Sequence, residues 1–179
     1  YLQERLAERG VTEPENLTPI QPGIYLWQGD ITTLAADAIV NAANSRILGC
    51  FVPCHGCIDN AIHTYAGIQL RMECARIMAG QRKEEATGKA KITKAYNLPC
   101  RYVLHTVGPI IYGTVTKTDC ELLAGCYRSC LKLAAAYGLK SVAFAVYPLA
   151  NFIFQMNWRQ RLPYRQSGHG SSRIQTESR

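Results

Sequence analysis

Ala38-Ile-Val-Asn-Ala-Ala-Asn44, followed shortly by Leu48-Gly-Cys-Phe-Val-Pro-Cys-His-Gly-Cys-Ile-Asp-Asn-Ala-Ile-His63, is the stretch on which the fold of this chain turns. Residues 38–40 are a continuous apolar run of the kind a buried strand shows, and Asn41 and Asn44 leave its C-terminal end. Three cysteines and a histidine then fall within residues 50–57, directly before an amphipathic helix. Unpaired backbone N–H groups gather at a helix N-terminus, and sulfur and imidazole donors beside them make a place for a cation and an anionic ligand together.

Outward from this segment the chain keeps alternating. Residues 24–27 predict a short strand ending at Gly29-Asp30-Ile31-Thr32. One helix is expected from Asp59 to about Met78, with Ile58, Ile62, Tyr65 and Ala66 on its inner stripe. Thr87-Gly88 breaks the chain before a strand at 90–96, and a second apolar run at 102–107 stops at Gly108-Pro109. The spacing of Leu123, Tyr127, Cys130, Leu131 and Ala134 predicts a helix over roughly 120–137, and 141–144 opens another buried strand. Strands alternating with helices predict an α/β three-layer domain with ligand loops at the strand ends. Residues 1–20 read as a helix end, Tyr1-Leu-Gln-Glu-Arg-Leu6, and a polar linker; Tyr1 in place of Met reads as a fragment.

Length and composition fit one domain with a hydrophobic core: 179 residues, 47% apolar. No stretch approaches the ~20 apolar residues of a membrane span, so no membrane partner is expected. Of the formal charge of +7, residues 145–179 carry five Arg against one Glu. The remaining body has no basic stripe interleaved with aromatics, which argues against nucleic acid. The cysteines of 50–57 cluster as metal donors rather than as a disulfide frame. Cys74, Cys126 and Cys130 fall within helical patterns as small buried residues, so a reducing, cytoplasmic setting is expected.

Several side chains have chemistry to offer. Cys50, His55 and Cys57 form Cys-x4-His-x-Cys, three ligands that leave a fourth position open, the pattern of catalytic rather than structural zinc. A cysteine-rich loop without metal is the bland alternative, and Cys54 is a rival donor. Asp59 at the helix start either stabilises the helix dipole and caps its end, worth roughly 0.5–2 kcal/mol, or acts on a bound ligand. Asp30 either caps its own turn or accepts a hydrogen bond from an amino group. Asn41 reads as a loop residue satisfying backbone groups.

Three segments resemble the macrodomain family, the ADP-ribose-binding α/β/α fold with a mixed central sheet. They are Gly29-Asp-Ile-Thr-Thr-Leu-Ala-Ala-Asp-Ala-Ile-Val-Asn-Ala-Ala-Asn44, Thr87-Gly-Lys-Ala-Lys-Ile-Thr93 with Tyr102-Val-Leu-His-Thr-Val-Gly-Pro109, and the loop of residues 49–63. The last is similar to the zinc-dependent bacterial branch, which acts as a protein-ADP-ribose hydrolase. The resemblance implies zinc on Cys50, His55 and Cys57. It implies adenine at Asp30 with the Ile31 backbone, the distal ribose at Asn44, and the diphosphate at the backbone N–H groups of Ile58, Asp59 and Asn60. It makes Asp59 and Asn44 the catalytic pair. His63 belongs to a motif shared with macrodomains that lack the metal, and is read as a packed helix residue. The implied substrate is an ADP-ribosylated protein, in this branch a lipoylated relative of the glycine-cleavage H protein modified by a companion sirtuin-type transferase. The alternatives are an ADP-ribose-binding module without turnover and an inactive truncated member.

The resemblance covers roughly residues 1–144, with the macrodomain proper at 21–144. Beyond it the family's second phosphate loop, Ile-Ser-Thr-Gly-x-Phe, is missing and the sequence has no steady period. Codons permitted from Ala145 onward, read with one T placed in front, give Cys-Cys-Ile-Ser-Thr-Gly-Glu-Phe-His-Phe-Pro-Asn-Glu-Leu. Residues 145–179 therefore read as an aberrant, poorly ordered tail left by a one-base deletion. Gene sequencing tests this, since other codons in an intact frame remove the idea.

Overall fold

The computed structural model describes residues 8–13, 17–53, 55–111 and 114–145, and the backbone of 152–156. The expected N-terminal helix end and most of the tail lie outside the described residues. Strands β1 (Pro19–Gln21), β2 (Ile24–Gln28), β3 (Ala38–Ala43), β4 (Ala90–Lys94), β5 (Tyr102–Val107), β6 (Val142–Ala145) and β7 (Phe152–Met156) form one mixed sheet, ordered β1-β2-β7-β6-β3-β5-β4. β6, β3 and β5 run parallel at its centre. β4 is antiparallel to β5 at one edge, and β7, β2 and β1 are each antiparallel to the preceding neighbour toward the other.

The period-2 alternation of β3 and β5 separates two cores. Ile39 and Val103 face α1 (Ile58–Ala66) and α2 (Ile68–Gln81), packing with Ile62, Leu70 and Cys74. Ala38, Val40 and Leu104 face α3 (Lys117–Ala136), packing with Cys130, Ala134 and Leu139. This is the three-layer sandwich expected, and buried Cys74, Cys126 and Cys130 take the places read for them.

Asp37, immediately before β3, aligns the parallel strands at the edge opposite the site. Its carboxylate accepts from the Lys140 and Ser141 backbone N–H groups at 2.6 and 3.2 Å and from the Arg101 guanidinium at 3.1 Å. Burial works against ionisation, but these donors hold the carboxyl below its ordinary range. Fixing where β3, β5 and β6 begin also fixes where they end.

Four local expectations need correction. The single helix from Asp59 is two helices, broken at Gly67, whose φ of +91° no helical residue can adopt. The strand at 90–96 ends at Lys94, where Ala95 N–H turns to the Arg101 carbonyl. α3 starts at Lys117 because Thr116 and Asp119 close a reciprocal capping box. On α3 the buried row is Cys126, Cys130 and Ala134, whereas Leu123 and Tyr127 are exposed, Tyr127 lying against the Phe144 ring with centroids 4.9 Å apart. In addition, Phe152–Met156 is a strand, where the missing period suggested no regular element. Among the described residues no helix is long and apolar enough to cross a membrane.

Candidate active site

The C-terminal end of β3 carries the chain onto the start of α1, and the side chains of interest gather there. Asn41 follows Ile39 on the α1 face and is fully buried. Its amide nitrogen donates to Asp59 Oδ1 at 2.7 Å, so it is not the backbone-satisfying loop residue expected from its position. The reason is the pleat, which turns it inward under the helix. Asn44, past the strand end, is exposed; its amide nitrogen donates to the Gly49 carbonyl at 3.1 Å and lies 3.4 Å from Asp59 Oδ2, while its oxygen accepts from Arg46 N–H.

Asp59 sits in the first turn of α1 and is 5% exposed. Burial raises its pKa, against the Asn41 hydrogen bond and the nearby Arg71 charge, which favour the anion. The capping residue of α1 is Cys57 rather than Asp59. Cys57 Sγ accepts from Asn60 N–H at 3.4 Å, which engages one backbone donor assigned to the diphosphate. The Asn60 side chain donates to the Cys50 and Val52 carbonyls at 3.3 and 3.1 Å, clamping the preceding loop to the helix.

That loop brings the three expected donors together. The ligand atoms of Cys50, His55 and Cys57 all lie within 4.8 Å of one another, with Cys50 Sγ and His55 Nδ1 3.4 Å apart. Cys54 lies outside the described residues. The Cys57 thiol is pushed up by burial and by its neighbours Cys50 and Asp59, which crowd potential negative charge at one point. A bound cation relieves that crowding, so these residues fit a metal ion. The loop lies flush on α1 because Gly49, at φ +81°, has no side chain; a Cβ there would meet the His63 ring at 2.6 Å. Ile47 reaches the same turn at φ 58°, a conformation costing a β-branched residue ~1–3 kcal/mol, and its side chain is fully buried.

Asp30 ends up with partners that the sequence did not announce. Oδ1 accepts from the Thr32 backbone and hydroxyl at 2.9 and 2.6 Å, and Oδ2 is paired with Arg9, which also stacks on Tyr65. Burial alone would raise its pKa, but these bonds hold it below the usual carboxylate range. The carboxylate remains half exposed, and Ile31 is buried beside it. Arg9 has no local pattern to mark it; only tertiary contact reveals it.

Behind Asp59 lie two buried histidines with ring centroids 5.8 Å apart. Burial lowers the pKa of His63 to about 4, helped by Arg71, and that of His105 to about 3, helped by His63. The unfolded chain takes up these protons as pH falls through about 6.5, before the folded chain does, so it binds more protons in that window. Stability is therefore expected to be full above pH ~6.5 and to fall toward pH ~4, with Asp59 Oδ1, 3.6 Å from His63 Nε2, offsetting part of the loss. Asp59, with its raised pKa, opposes this as a single group. Urea midpoints at neutral and acid pH measure the loss, and a flat profile in the wild type would contradict it.

The Macro domain family model matches residues 40–159. The chain belongs to the macro domain family. Curated relatives named Protein-ADP-ribose hydrolase include one from Treponema medium, 58% identical over 86% of this chain and 60% of its own length, and one from Staphylococcus aureus strain MSSA476, 54% identical over 83% and 57%. The chain thus spans about 60% of the length of the curated relatives it matches. Among solved macrodomains, a mutant from Oceanobacillus iheyensis with ADPR is 39% identical with a TM-score of 0.58, covering 65% of this chain and 61% of that one. A Trypanosoma brucei macrodomain is 41% identical with a TM-score of 0.63, covering 78% and 55%.

Proposed function

We propose that this macrodomain is the hydrolytic domain of a zinc-dependent protein-ADP-ribose hydrolase, cleaving the bond between ADP-ribose and an acidic side chain of a modified protein. One observation carries the reading: a soft three-donor cluster and a buried carboxylate share one helix start, with Cys57 capping α1 and Asp59 in its first turn. Two thiols and an imidazole suit zinc better than hard oxygen-seeking cations. Tetrahedral zinc separates its sulfur and nitrogen ligands by about 3.5 Å, close to the Cys50–His55 spacing. When bound there, zinc supplies a Lewis acid for a ribose hydroxyl or for the acyl oxygen. The name of the curated relatives supports the reaction class.

The residues then divide the work. The backbone donors at the start of α1, at Ile58 and Asp59, face the diphosphate, and Asn60 contributes by holding the loop against the helix. Asn44 offers the second lone pair of its amide oxygen to the distal ribose, and its NH2 in exchange for a bond to Gly49 or Asp59. Asp30, with the Ile31 backbone, takes the adenine amino group and shares its carboxylate with Arg9. Asp59 orients the attacking water, accepts its proton as the new C–O bond forms and steadies positive charge at the anomeric carbon, while the acyl carboxylate leaves with the bonding electrons. The metal thiols must stay reduced, which favours a cytoplasmic setting. The substrate is an ADP-ribosylated protein, on the strength of the resemblance a glycine-cleavage H-like lipoyl protein.

The test is release of ADP-ribose from an aspartate-modified protein, run beside calorimetric binding of free ADP-ribose. Release that a chelator abolishes and zinc restores supports the proposal. Binding without release identifies a binding module instead, and neither binding nor release identifies an inactive member. A frame-restored version in parallel shows what residues 145–179 cost.

A further inference from the structure

Among the buried polar groups, a chain of three lies behind Asp59 and touches no surface. Asn41 Nδ2 donates to Asp59 Oδ1 at 2.7 Å and lies 3.1 Å from His105 Nδ1. His105 Nε2 lies 2.9 Å from Thr93 Oγ1 and 3.8 Å from Cys74 Sγ. His105 and Asn41 are both fully buried and Thr93 is 2% exposed. Buried polar groups are mostly hydrogen-bonded; here Asn41 makes both contacts through its amide nitrogen, and its oxygen has no partner among the described residues.

The donor count decides the chemistry. A carboxylate accepts and does not donate, so Asn41 must turn its NH2 toward Asp59. The second hydrogen of that NH2 then points at His105 Nδ1, which must carry a lone pair. The proton of the neutral imidazole is therefore on Nε2, directed at Thr93. The opposite tautomer would set an N–H against an N–H and push Asn41 to flip its oxygen toward the carboxylate. A metal ion in the cluster formed by His63, Cys74 and His105, whose donor atoms lie within 4.8 Å of one another, would have to displace a hydrogen bond of His105. Both His105 nitrogens are already engaged.

We propose that His105, in its Nε2–H form with that proton directed at Thr93, is a positioning residue that locks the Asn41 amide and through it the Asp59 carboxylate. This rests on the hydrolase reading above. β5 thereby reaches a catalytic group on α1 through β3, the strand between them.

Two substitutions separate the ends of the ring. His105→Asn keeps an acceptor near Nδ1 and abandons Thr93; His105→Gln reaches toward Thr93 and abandons Asn41. In the full chain, His105→Gln is expected to lower kcat by ~10–100-fold with ADP-ribose binding within about threefold, as misplacement of a catalytic group does. His105→Asn is expected to recover most of that turnover although it leaves the larger cavity. Equal losses in both variants, or loss of binding in step with turnover, would show a merely structural histidine. Histidine 15N shifts of the wild type give a readout independent of turnover. An Nε2–H signal for His105 supports the lock even if no hydrolysis is found, and an Nδ1–H signal overturns it. A second zinc equivalent that His105→Gln removes would overturn it in favour of the buried metal site.

Discussion

Asp59→Ala is expected to cut ADP-ribose release by ~10²–10⁴-fold, the range of a positioned acid–base group, while binding of free ADP-ribose changes little. Asp59 is 5% exposed, its charge is opposed by burial, and Asn41 fixes one oxygen at 2.7 Å. On the proposed reading, a carboxylate kept in so costly a place at this helix start has a use beyond capping, because Cys57 already supplies the cap. If Asp59 served only the helix dipole, the variant would lose ~0.3–1 kcal/mol of stability and keep its turnover. Burial of the anion makes the opposite stability outcome the expected one: the unfolding midpoint of Asp59→Asn near neutral pH should not fall. The folded pKa is raised, so the wild type loses stability as pH rises through the window between the unfolded and folded values, and the neutral amide does not. Normal turnover in Asp59→Ala would remove Asp59 from the reaction.

The second large effect belongs to the proposed zinc. Cys57→Ala is expected to reduce bound zinc from about one equivalent to near none, since two remaining ligands hold a tetrahedral ion poorly, and to abolish chelator-sensitive release. Cys57 has a second function, the hydrogen bond from Asn60 N–H, so the apo protein should also lose about 1 kcal/mol, the usual worth of a cap. Added zinc should raise the unfolding midpoint of the wild type by mass action and leave that of the variant unmoved. Exposed Cys120, on α3, provides the control, and Cys120→Ser should behave as the wild type. Zinc retained in full by Cys57→Ala, as read by elemental analysis, would take Cys57 out of the ligand set.

The two effects are coupled by the same turn of chain. Gly49 lets the loop lie on His63, Asn60 ties Cys50 and Val52 to the helix, and Asn44 reaches both the Gly49 carbonyl and Asp59. Displacing the metal loop should therefore disturb the carboxylate. Zinc removal is expected to change turnover even for substrates whose binding survives it.

The sequence by itself determined the layered α/β fold and the donor cluster, because both depend on short-range pattern. Apolar runs at β3 and β5 and the spacing Cys-x4-His-x-Cys can be read without knowing what lies opposite. Even the break at Gly67 has a local signal, a glycine inside a helical period. A histidine in the middle of the apolar run of β5 was likewise a sign that some buried partner must exist. Which partner it was, only tertiary structure decided. Asn41 and His105 lie on strands far apart in sequence, and parallel pairing of β3 with β5 sets them side by side. Arg9 reaches Asp30 across the same kind of gap. Hydrogen bonds between distant segments obey register and pleat rather than composition, so the buried support of the site became visible only when the sheet was assembled.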